Sequence, residues 1–546
     1  MVFTSDVRVL ISDKDPDMSE FDSLIIGGGH NGLVCAFYLA RAGHKVVVLE
    51  RRSIVGGAAV TEEFYPGFRN STASYTVSLL NPSVIQDMGL KERGLRFVKR
   101  PVANFLPLSD TSYLKVGGGL TQTQAQVRQF STKDAEILPI YYQRLDAVAD
   151  IVRTVSQQTP PKFSGGVVGL LRAAWEMRDL VRAPFEVKQD LYYLFTQSAR
   201  QFLDRWFESD PIKAALGFDA VVGNYASPDT PGSAYVLLHH VFGELDGEKG
   251  AWGHAIGGMG AITQTMAQAC TEIGVEIRTD APVERVLVEA GIARGVILRD
   301  GTRIRAKRIA SNVNPVMLYR DMIDPAVLDS QFSAHIKNYR CGSGTFRLNV
   351  ALSELPDFSC LPGRDAAEHH QSGIIMAPSL EYMNQAYLEA QSNGFASKPI
   401  VEMLIPSVID SSLAPSGQHV ASLFCQHFAP TRPDGKRWHE SQQEAVEAII
   451  NTVTSHAPNF KNAILGMMVL SPLDLEEKFG LIGGDIFHGA MTLDQLWAAR
   501  PVLDYGDYRG PIKGLYHCGA GAHPGGGVTG LPGKNAAREM LRDPAP

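Results

Sequence analysis

The sequence predicts an α/β protein with a Rossmann-type dinucleotide-binding domain built from discontinuous segments and a second domain of mixed sheet and helices. Three observations predict this fold: a glycine-rich strand–turn–helix pattern near the N-terminus, a helix followed by a β-meander in mid-chain, and a glycine loop followed by a helix at the C-terminus. The chain has 546 residues, more than one hydrophobic core usually fills, so at least two domains are expected.

The first segment has the parts of a dinucleotide-binding βαβ unit. Residues 23–26 read as a buried strand that ends in a GxGxxG pattern, and the following helical pattern leads to a second apolar run ending at Glu50. The glycines permit a tight turn, close approach of the backbone to a pyrophosphate, and close helix–strand packing, while Glu50 can accept hydrogen bonds from a ribose. The predicted nucleotide contacts here are Gly27, Gly29, His30, Asn31, Gly32 and Glu50.

The residues after Glu50 favour FAD over NAD. Gly56 and Gly57 place a second bare backbone segment near the first one, a feature that an NAD domain lacks. The segment resembles the one that follows the first βαβ unit in FAD proteins of the glutathione-reductase-like class. The predicted FAD contacts in it are Arg51, Gly56, Gly57 and Ala58.

The second segment begins near residue 257. An amphipathic helical pattern over residues 262–273 is followed by a short strand and a β-meander, in which Asp300-Gly301 is a strong two-residue hairpin turn. This order resembles the second FAD-domain segment of that class, in which the backbone at Val283 would contact the adenine.

The third segment is the C-terminal stretch 514–541. A short strand leads into a loop nearly without side chains and then into a helix, and this arrangement suits the edge of a flavin ring that becomes anionic on reduction. Its predicted FAD contacts are Gly519, Ala520, Gly527 and Val528, and His523 lies within the loop.

The blocks "GHNGLVCA", "GGAAVTEE", "GGMGA" and "GAGAHPGGGVTGLPGKNAA" resemble the carotenoid/retinoid oxidoreductase family, which includes the phytoene desaturases. The resemblance covers about residues 21–541. It implies FAD as cofactor, but its motifs do not specify a substrate. It also implies a location in the mitochondrial matrix if the chain is eukaryotic; a bacterial chain is expected in the cytoplasm or associated with a membrane.

These patterns divide the chain into domains. Acidic residues near the start favour a polar leader over a targeting peptide. We expect this leader over residues 1–20, the FAD-binding domain over 21–86, 253–330 and 501–546, a helical part of the substrate domain or lid over 87–252, and a substrate-domain sheet over 331–500.

The predicted function is FAD-dependent oxidation, in which a mostly apolar, lipidic or isoprenoid substrate loses a hydride to the flavin. His488 and His523 are the candidate catalytic residues. His488 would act as a base or orient the substrate, and the alternative is a hydrogen-bonded histidine with a structural role. Asp494 and Arg500, in the same stretch as His488, are further predicted contacts with the substrate. Two alternatives stay open: an amine-oxidase-like activity, and a flavoprotein with a regulatory or partner-binding role.

Composition narrows the partners. A net charge of −7 argues against nucleic acid, and the six cysteines lie too far apart in sequence for a zinc site or a CxxC dithiol. His239 and His240 are adjacent on one helix and should point apart, so no metal is expected. The basic amphipathic stretch 164–188 would lie on a membrane surface or pack on the core. A homodimer is expected from the statistics of oligomers alone.

Overall fold

A computed structural model describes residues 20–166 and 178–546. The predicted leader, apart from Glu20, and the centre of the basic stretch 164–188 lie outside the described residues.

The first of two large sheets belongs to the predicted nucleotide-binding domain. Its strands are, in spatial order, Glu276–Arg278, Val46–Leu49, Phe21–Ile26, Arg303–Ser311, Ile292–Leu298 and Val283–Glu289, and Leu515–His517 also pairs with Arg303–Ser311. The strands Phe21–Ile26 and Val46–Leu49 are almost entirely buried because both are continuous apolar runs covered on two faces. The predicted α/β Rossmann-type fold from discontinuous segments is confirmed.

Parallel pairing places the carboxyl ends of five strands at one edge of this sheet, here called the functional edge. Every pairing among the strands Glu276–Arg278, Val46–Leu49, Phe21–Ile26, Arg303–Ser311 and Leu515–His517 is parallel. The loops that follow these strands therefore meet at the same edge, although they come from three distant parts of the chain.

Three helices cover one face of this sheet. The helix His30–Arg41 packs against both Met259–Glu272 and Leu531–Arg542. The approach to the C-terminal helix is close, since a Cβ atom at Gly533 would lie 2.1 Å from the carbonyl oxygen of Asn31. This contact fixes the C-terminal segment against the first glycine motif.

The second large sheet has seven strands and forms the floor of the other domain. In spatial order they are Ile464–Leu470, Phe346–Leu352, His419–Phe428, Phe395–Leu404, Gly373–Met376, Asn104–Pro107 and Tyr113–Val116. Segment 331–500 contributes five of these strands, and the last two come from segment 87–252. The prediction of a helical segment there is thus incomplete, because the short apolar runs at 104–107 and 113–116 pair with the sheet instead.

Three two-stranded sheets and thirteen further α-helices complete the described part of the fold. Two-stranded pairs join Thr61–Tyr65 with Phe68–Ser71, Phe97–Lys99 with Gly253–Ala255, and Glu244–Leu245 with Glu248–Lys249. The other α-helices are Pro82–Asp87, Leu120–Val127, Thr132–Ser156, Arg178–Arg182, Phe185–Thr196, Ala199–Leu203, Asp210–Val221, Ala234–Val241, Ser330–Lys337, Leu380–Asn393, Trp438–His456, Phe460–Ala463 and Pro472–Phe479. Within residues 20–166 and 178–546, no helix combines the length and the apolar character that crossing a bilayer requires.

Candidate functional site

A cavity of about 480 Å³ lies where the functional edge of the first sheet faces the second domain. One side, here called the nucleotide wall, is formed by residues in loops and at strand ends that include Gly27, Gly29, Glu50, Gly57 and Val283. The opposite side comes from the helices Asp210–Val221 and Ala234–Val241 and from the second sheet.

Two glycine segments form one continuous stretch of bare backbone in the nucleotide wall. The N–H of Gly56 donates to the carbonyl oxygen of Gly28 at 2.8 Å. Gly57 has a φ of +57°, and a Cβ there would lie 3.4 Å from the Cα of Gly29. A pyrophosphate can therefore approach both glycine segments without meeting a side chain that belongs to either of them.

The N-terminus of the helix His30–Arg41 is suited to an anion. Gly29 caps the helix without a side-chain hydrogen bond, and its first turn carries no acidic residue. The N–H groups of that turn are thus free of a capping side chain, and the helix dipole adds a partial positive charge. The buried Oδ1 of Asn31 also has no hydrogen-bond partner among the described residues, although Asn31 lines the cavity.

Glu50 stands at the end of the second parallel strand and is 5% exposed. Its Oε2 accepts the N–H of Gly28 at 2.8 Å, and its Oε1 accepts the N–H of Arg52 at 3.0 Å. These two bonds orient the carboxyl group, and each oxygen keeps a lone pair that can accept a ribose hydroxyl.

The C-terminal loop meets the N-terminal motif directly. The Nε2 of His30 lies 3.2 Å from the carbonyl oxygen of Gly527, across 497 positions of sequence. Burial lowers the pKa of His30 to about 4, and the hydrogen bond to Gly527 offsets that effect only in part. The imidazole is neutral near pH 7 and donates its Nε2 proton to the carbonyl.

Most of the predicted site residues line this cavity. They are Gly27, Gly29, His30, Asn31, Glu50, Arg51, Gly56, Gly57, Ala58, Val283, His488, Ala520, Gly527 and Val528.

Gly32 and Gly519 do not line the cavity. A Cβ at Gly32 would lie 2.3 Å from the carbonyl oxygen of Gly27, and one at Gly519 would lie 2.6 Å from that of Asn312. Both glycines therefore allow close backbone packing beneath the site. For both glycines this corrects the prediction of a direct contact with the cofactor, and for Gly32 it agrees with the close helix–strand packing that the motif also predicts.

His523 is also absent from the cavity lining, contrary to the prediction that it lies beside the flavin. Its Nε2 lies 3.1 Å from the carbonyl oxygen of Val155, in the last turn of the helix Thr132–Ser156. The same carbonyl also accepts the N–H of Gln158 at 3.0 Å, so the imidazole is its second partner at the helix C-terminus. His523 thus ties the C-terminal loop to a helix of the second domain.

His488 lines the cavity, in a loop fixed by two buried charged residues. The two Asp485 carboxylate oxygens accept the N–H groups of Phe487 at 2.8 Å and Gly489 at 3.0 Å. Burial first, and then the charge of Arg500, lower the pKa of His488 to about 3. Its buried Nδ1 has no partner in the described parts of the chain.

Arg500 has a structural role rather than the predicted contact with substrate. Its guanidinium is fully buried and donates to the carbonyl oxygens of Phe487 at 2.5 Å, Ala520 at 2.9 Å and Gln495 at 3.1 Å. It therefore joins the His488 loop to the C-terminal glycine loop. Asp494, another predicted contact, pairs with Arg340 instead at 2.8 Å.

Sequence reasoning missed His239 and His240. Both line the cavity, and their ring centroids are 5.3 Å apart, so the expectation that they point away from each other is wrong. His239 is 1% exposed and both of its ring nitrogens are unpartnered among the described residues. A Cβ at Gly527 would lie 3.6 Å from its Nε2, so His239 adjoins the C-terminal glycine loop. The apolar helix around these residues, buried from Ala234 to His240, provides no sequence signal for such a role.

Five polar residues on the wall opposite the nucleotide loops were also missed by sequence reasoning. This group, here called the polar cluster, consists of Tyr75, Arg100, Asn104, Asp219 and Glu402. Apolar side chains surround it on the same wall, among them Phe218, Val222, Trp252, Phe424 and Phe487.

Neither the cluster of buried thiols nor the group of side chains with metal-ligand geometry lines the cavity. Cys35, Cys270 and Cys518 are fully buried free thiols near one another, and burial raises the pKa of Cys35 and of Cys270, which leaves both protonated. Among the described residues, the group with metal-ligand geometry is His439, Asp474 and Glu477, none of which lines the cavity.

Comparison with known proteins identifies relatives along nearly the whole chain. Residues 32–346 match the family described as flavin containing amine oxidoreductase. The chain is 40% identical to pyridine nucleotide-disulfide oxidoreductase domain-containing protein 2 of Rattus norvegicus, over 96% of this chain and 94% of the relative. It is 26% identical to one of the subunits of limonene dehydrogenase from Castellaniella defragrans (96% and 95% covered) and 26% identical to the lycopene-forming phytoene desaturase of Pantoea ananas (95% and 99% covered).

Solved structures agree on the fold. A variant of putrescine oxidase superposes with a TM-score of 0.60 at 16% identity and covers 96% of this chain and 99% of its own. An oxidoreductase from Methanosarcina mazei gives a TM-score of 0.59 at 15% identity, over 95% and 100% of the two chains. The resemblance to phytoene desaturases that the sequence motifs indicated is confirmed by the Pantoea ananas relative.

Proposed function

The chain belongs to the flavin containing amine oxidoreductase family and is an FAD-dependent oxidoreductase, and we propose that it oxidises a mostly apolar substrate. The observation that carries this proposal is the convergence of three distant glycine segments on one cavity whose opposite wall is largely apolar.

The nucleotide wall fits FAD. Glu50 would bind a ribose, the helix N-terminus at Gly29 the pyrophosphate, and the backbone at Val283 the adenine. The loop at Ala520 and Gly527 would contact the flavin. When bound, the cofactor accepts a hydride from the substrate.

His239 and His488 would then orient the substrate. Burial lowers the pKa of His239 well below its ordinary value, and the pKa of His488 is about 3, so both imidazoles are neutral near pH 7. Because the nearby Arg500 cation opposes a second positive charge, hydrogen bonding to substrate fits these residues better than proton abstraction. Of the two roles that the sequence suggested for His488, orientation is the better supported.

An apolar substrate suits the wall that faces the nucleotide loops. The rings of Phe218, Trp252 and Phe424 line it, and closing such a cavity over a substrate excludes water from the hydride transfer. Limonene dehydrogenase and phytoene desaturase, two relatives, are named for terpenoid hydrocarbons. These names support a substrate with a similar apolar skeleton.

An amine-oxidase-like activity is the second candidate. Two carboxyl groups, Asp219 and Glu402, line the same cavity and would favour a cationic ligand if both were ionised. The family description, which names amines, points the same way.

Anaerobic reduction of the bound flavin separates these candidates. The FAD-loaded protein would be mixed with limonene, an apolar terpenoid alcohol, an apolar terpenoid acid, putrescine or cyclohexylamine, and loss of visible flavin absorbance recorded. We expect bleaching by a terpenoid and none by the amines. Bleaching by the amines alone would establish the second candidate. If dithionite bleaches the flavin but no compound does, a regulatory or partner-binding role replaces oxidation.

A further inference from the structure

The polar cluster brings four separate parts of the chain together: Tyr75, Arg100 with Asn104, Asp219, and Glu402. A Cβ at Gly373 would lie 2.8 Å from Glu402 Oε1, 3.0 Å from Asn104 Oδ1 and 3.2 Å from Arg100 Nη1. Tyr75 donates its hydroxyl proton to the other oxygen of Glu402. Gly373 thus leaves room for an amide, a guanidinium and a carboxylate to meet at the wall of an otherwise apolar cavity.

Positive charge at this wall is not neutralised by close ion pairs. Arg100 donates to Thr76 Oγ1, and the guanidinium of Arg347 stacks 4.5 Å from the centroid of the Tyr75 ring. In the described parts of the chain, neither Arg100, which lines the cavity, nor Arg347, which lies behind the lining, has a carboxylate oxygen within 4 Å of its side-chain nitrogens, although the charge of Glu402 acts on both from further away. Nε and Nη1 of Arg347 also lack hydrogen-bond partners there.

Asp219 adds a second donor. Within residues 20–166 and 178–546 its carboxyl group makes no hydrogen bond or ion pair, and it faces the cavity from the helix Asp210–Val221. Burial first, and then the nearby Glu402, raise the pKa of Asp219 to about 8. The group is therefore protonated at neutral pH and can donate its O–H.

The ligand that satisfies these groups is an oxygen acceptor. A pure hydrocarbon would remove Arg100 and Asp219 from water and give them no partner, which is costly for a buried donor. An ammonium group would meet the two arginine charges, and to pair with Glu402 it would have to compete with the Tyr75 hydroxyl and with both arginines, which already interact with that carboxyl group. A carbonyl or carboxylate oxygen accepts from both donors.

We propose that the substrate carries a carbonyl or carboxylate oxygen on its apolar skeleton and that Arg100 and Asp219 bind this oxygen. This inference rests on the proposed function, because it assigns a substrate class to the same cavity. It places the polar end of the substrate at the second sheet, across the cavity from the nucleotide wall.

Binding of a matched ligand series to the FAD-loaded protein tests the inference. The ligands are decanoate, 2-decanone, decylamine and decane, and binding is read from the change in the flavin spectrum and by calorimetry. We expect decanoate or 2-decanone to bind at least about tenfold more tightly than decane and decylamine. Tightest binding of decylamine, or equal binding of all four, would overturn the inference.

Substitutions locate the effect. Arg100→Gln and Asp219→Leu should each reduce the preference for the oxygenated ligand about tenfold, whereas Asp219→Asn, which keeps an N–H donor, should change it less than about threefold. Arg69→Gln, an exposed change outside the cavity, is the control. A preference that survives both Arg100→Gln and Asp219→Leu contradicts the assignment. If either variant loses FAD, the ligand ranking in the unsubstituted protein and the Asp219→Asn result decide.

The proposed oxidation and the proposed oxygen-binding subsite can be contradicted independently of each other. If no substrate reduces the flavin, oxidation is wrong even where the ligand ranking is as expected. If a hydrocarbon reduces the flavin but oxygenated ligands do not bind better, oxidation stands and the oxygen-binding subsite is wrong.

Discussion

The two walls of the cavity differ in that one is formed mainly by backbone and the other by side chains. The nucleotide wall consists mainly of glycine backbone, joined by bonds such as that from Gly56 N–H to Gly28 O. The polar cluster opposite consists of side chains from a loop, a helix and three strands or their edges, for example Tyr75, Asp219 and Glu402. We expect the first wall to bind FAD, which is common to all FAD proteins, and the second to bind the substrate, which differs between them.

This difference determines what each wall tolerates. A backbone wall fails when a Cβ is added, because the neighbouring backbone cannot move aside. A side-chain wall accepts substitutions but changes its ligand preference.

Gly32→Ala should abolish stable FAD-loaded protein. The added Cβ would lie 2.3 Å from the carbonyl oxygen of Gly27, inside the contact between the first helix and the first strand. Gly43→Ala is the matched control at the end of the same helix, where nothing lies within 4 Å and only the positive φ of +92° opposes alanine. It should cost about 1 kcal/mol. Soluble yield and FAD content would be measured, and equal FAD content in the two variants would refute the packing argument.

Arg500→Met should destabilise the protein by about 3 kcal/mol or more, because it leaves the buried carbonyls of Phe487, Gln495 and Ala520 without a donor. Arg500 connects the loop of the opposite wall to the C-terminal glycine loop. Arg500→Lys keeps the charge but not the planar fork, so an intermediate loss is expected. Urea unfolding of the three proteins measures the effect, and a loss below about 1 kcal/mol for Arg500→Met would contradict this role.

Glu50→Gln should weaken FAD binding about tenfold or more without unfolding the protein. Both carboxylate oxygens accept backbone N–H groups, so an amide NH₂ must face either Gly28 or Arg52 with a donor against a donor. Glu284→Gln is the control, since Glu284 lines the same wall but is exposed and its side chain makes no hydrogen bond among the described residues. FAD titration of the apoproteins gives both dissociation constants. Equal constants would show that Glu50 does not organise the ribose site.

Asp219→Asn should make the free energy of unfolding less dependent on pH. The pKa of Asp219 is raised to about 8 in the folded protein from an ordinary value of 3.8. The stability that its protonated form contributes is therefore complete below about pH 4 and is lost as the pH rises to about 8. The free energy of unfolding should fall more steeply from pH 5 to pH 8 in the unsubstituted protein than in the variant, by at most about 1.4 kcal/mol per pH unit. Parallel curves would contradict a buried, protonated Asp219.

The same contrast explains what the sequence could predict. Gly27, Gly29, Gly32 and Glu50 lie within one strand–helix–strand unit, so their spacing alone indicates the nucleotide wall. The loop at Gly527 could be recognised because its lack of side chains is itself a signal. In all of these cases, residues that form a pattern in the sequence also lie together in the structure.

The other wall could not be predicted because its residues share no local pattern. Asp219, His239 and Glu402 come together only when two helices pack over the second sheet. His523 shows the converse error: it lies within the glycine loop in sequence, yet its side chain turns to the carbonyl of Val155. Position along a loop does not fix the direction of a side chain.

A crystal structure of the protein with FAD bound would test the position of the cofactor most directly. We expect the adenine end of the nucleotide between Glu50 and Val283, the pyrophosphate at Gly29, and the flavin ring between Ala58 and Gly527, with its open face toward His239 and the polar cluster. A flavin ring at Val283, or FAD bound outside this cavity, would contradict this expectation.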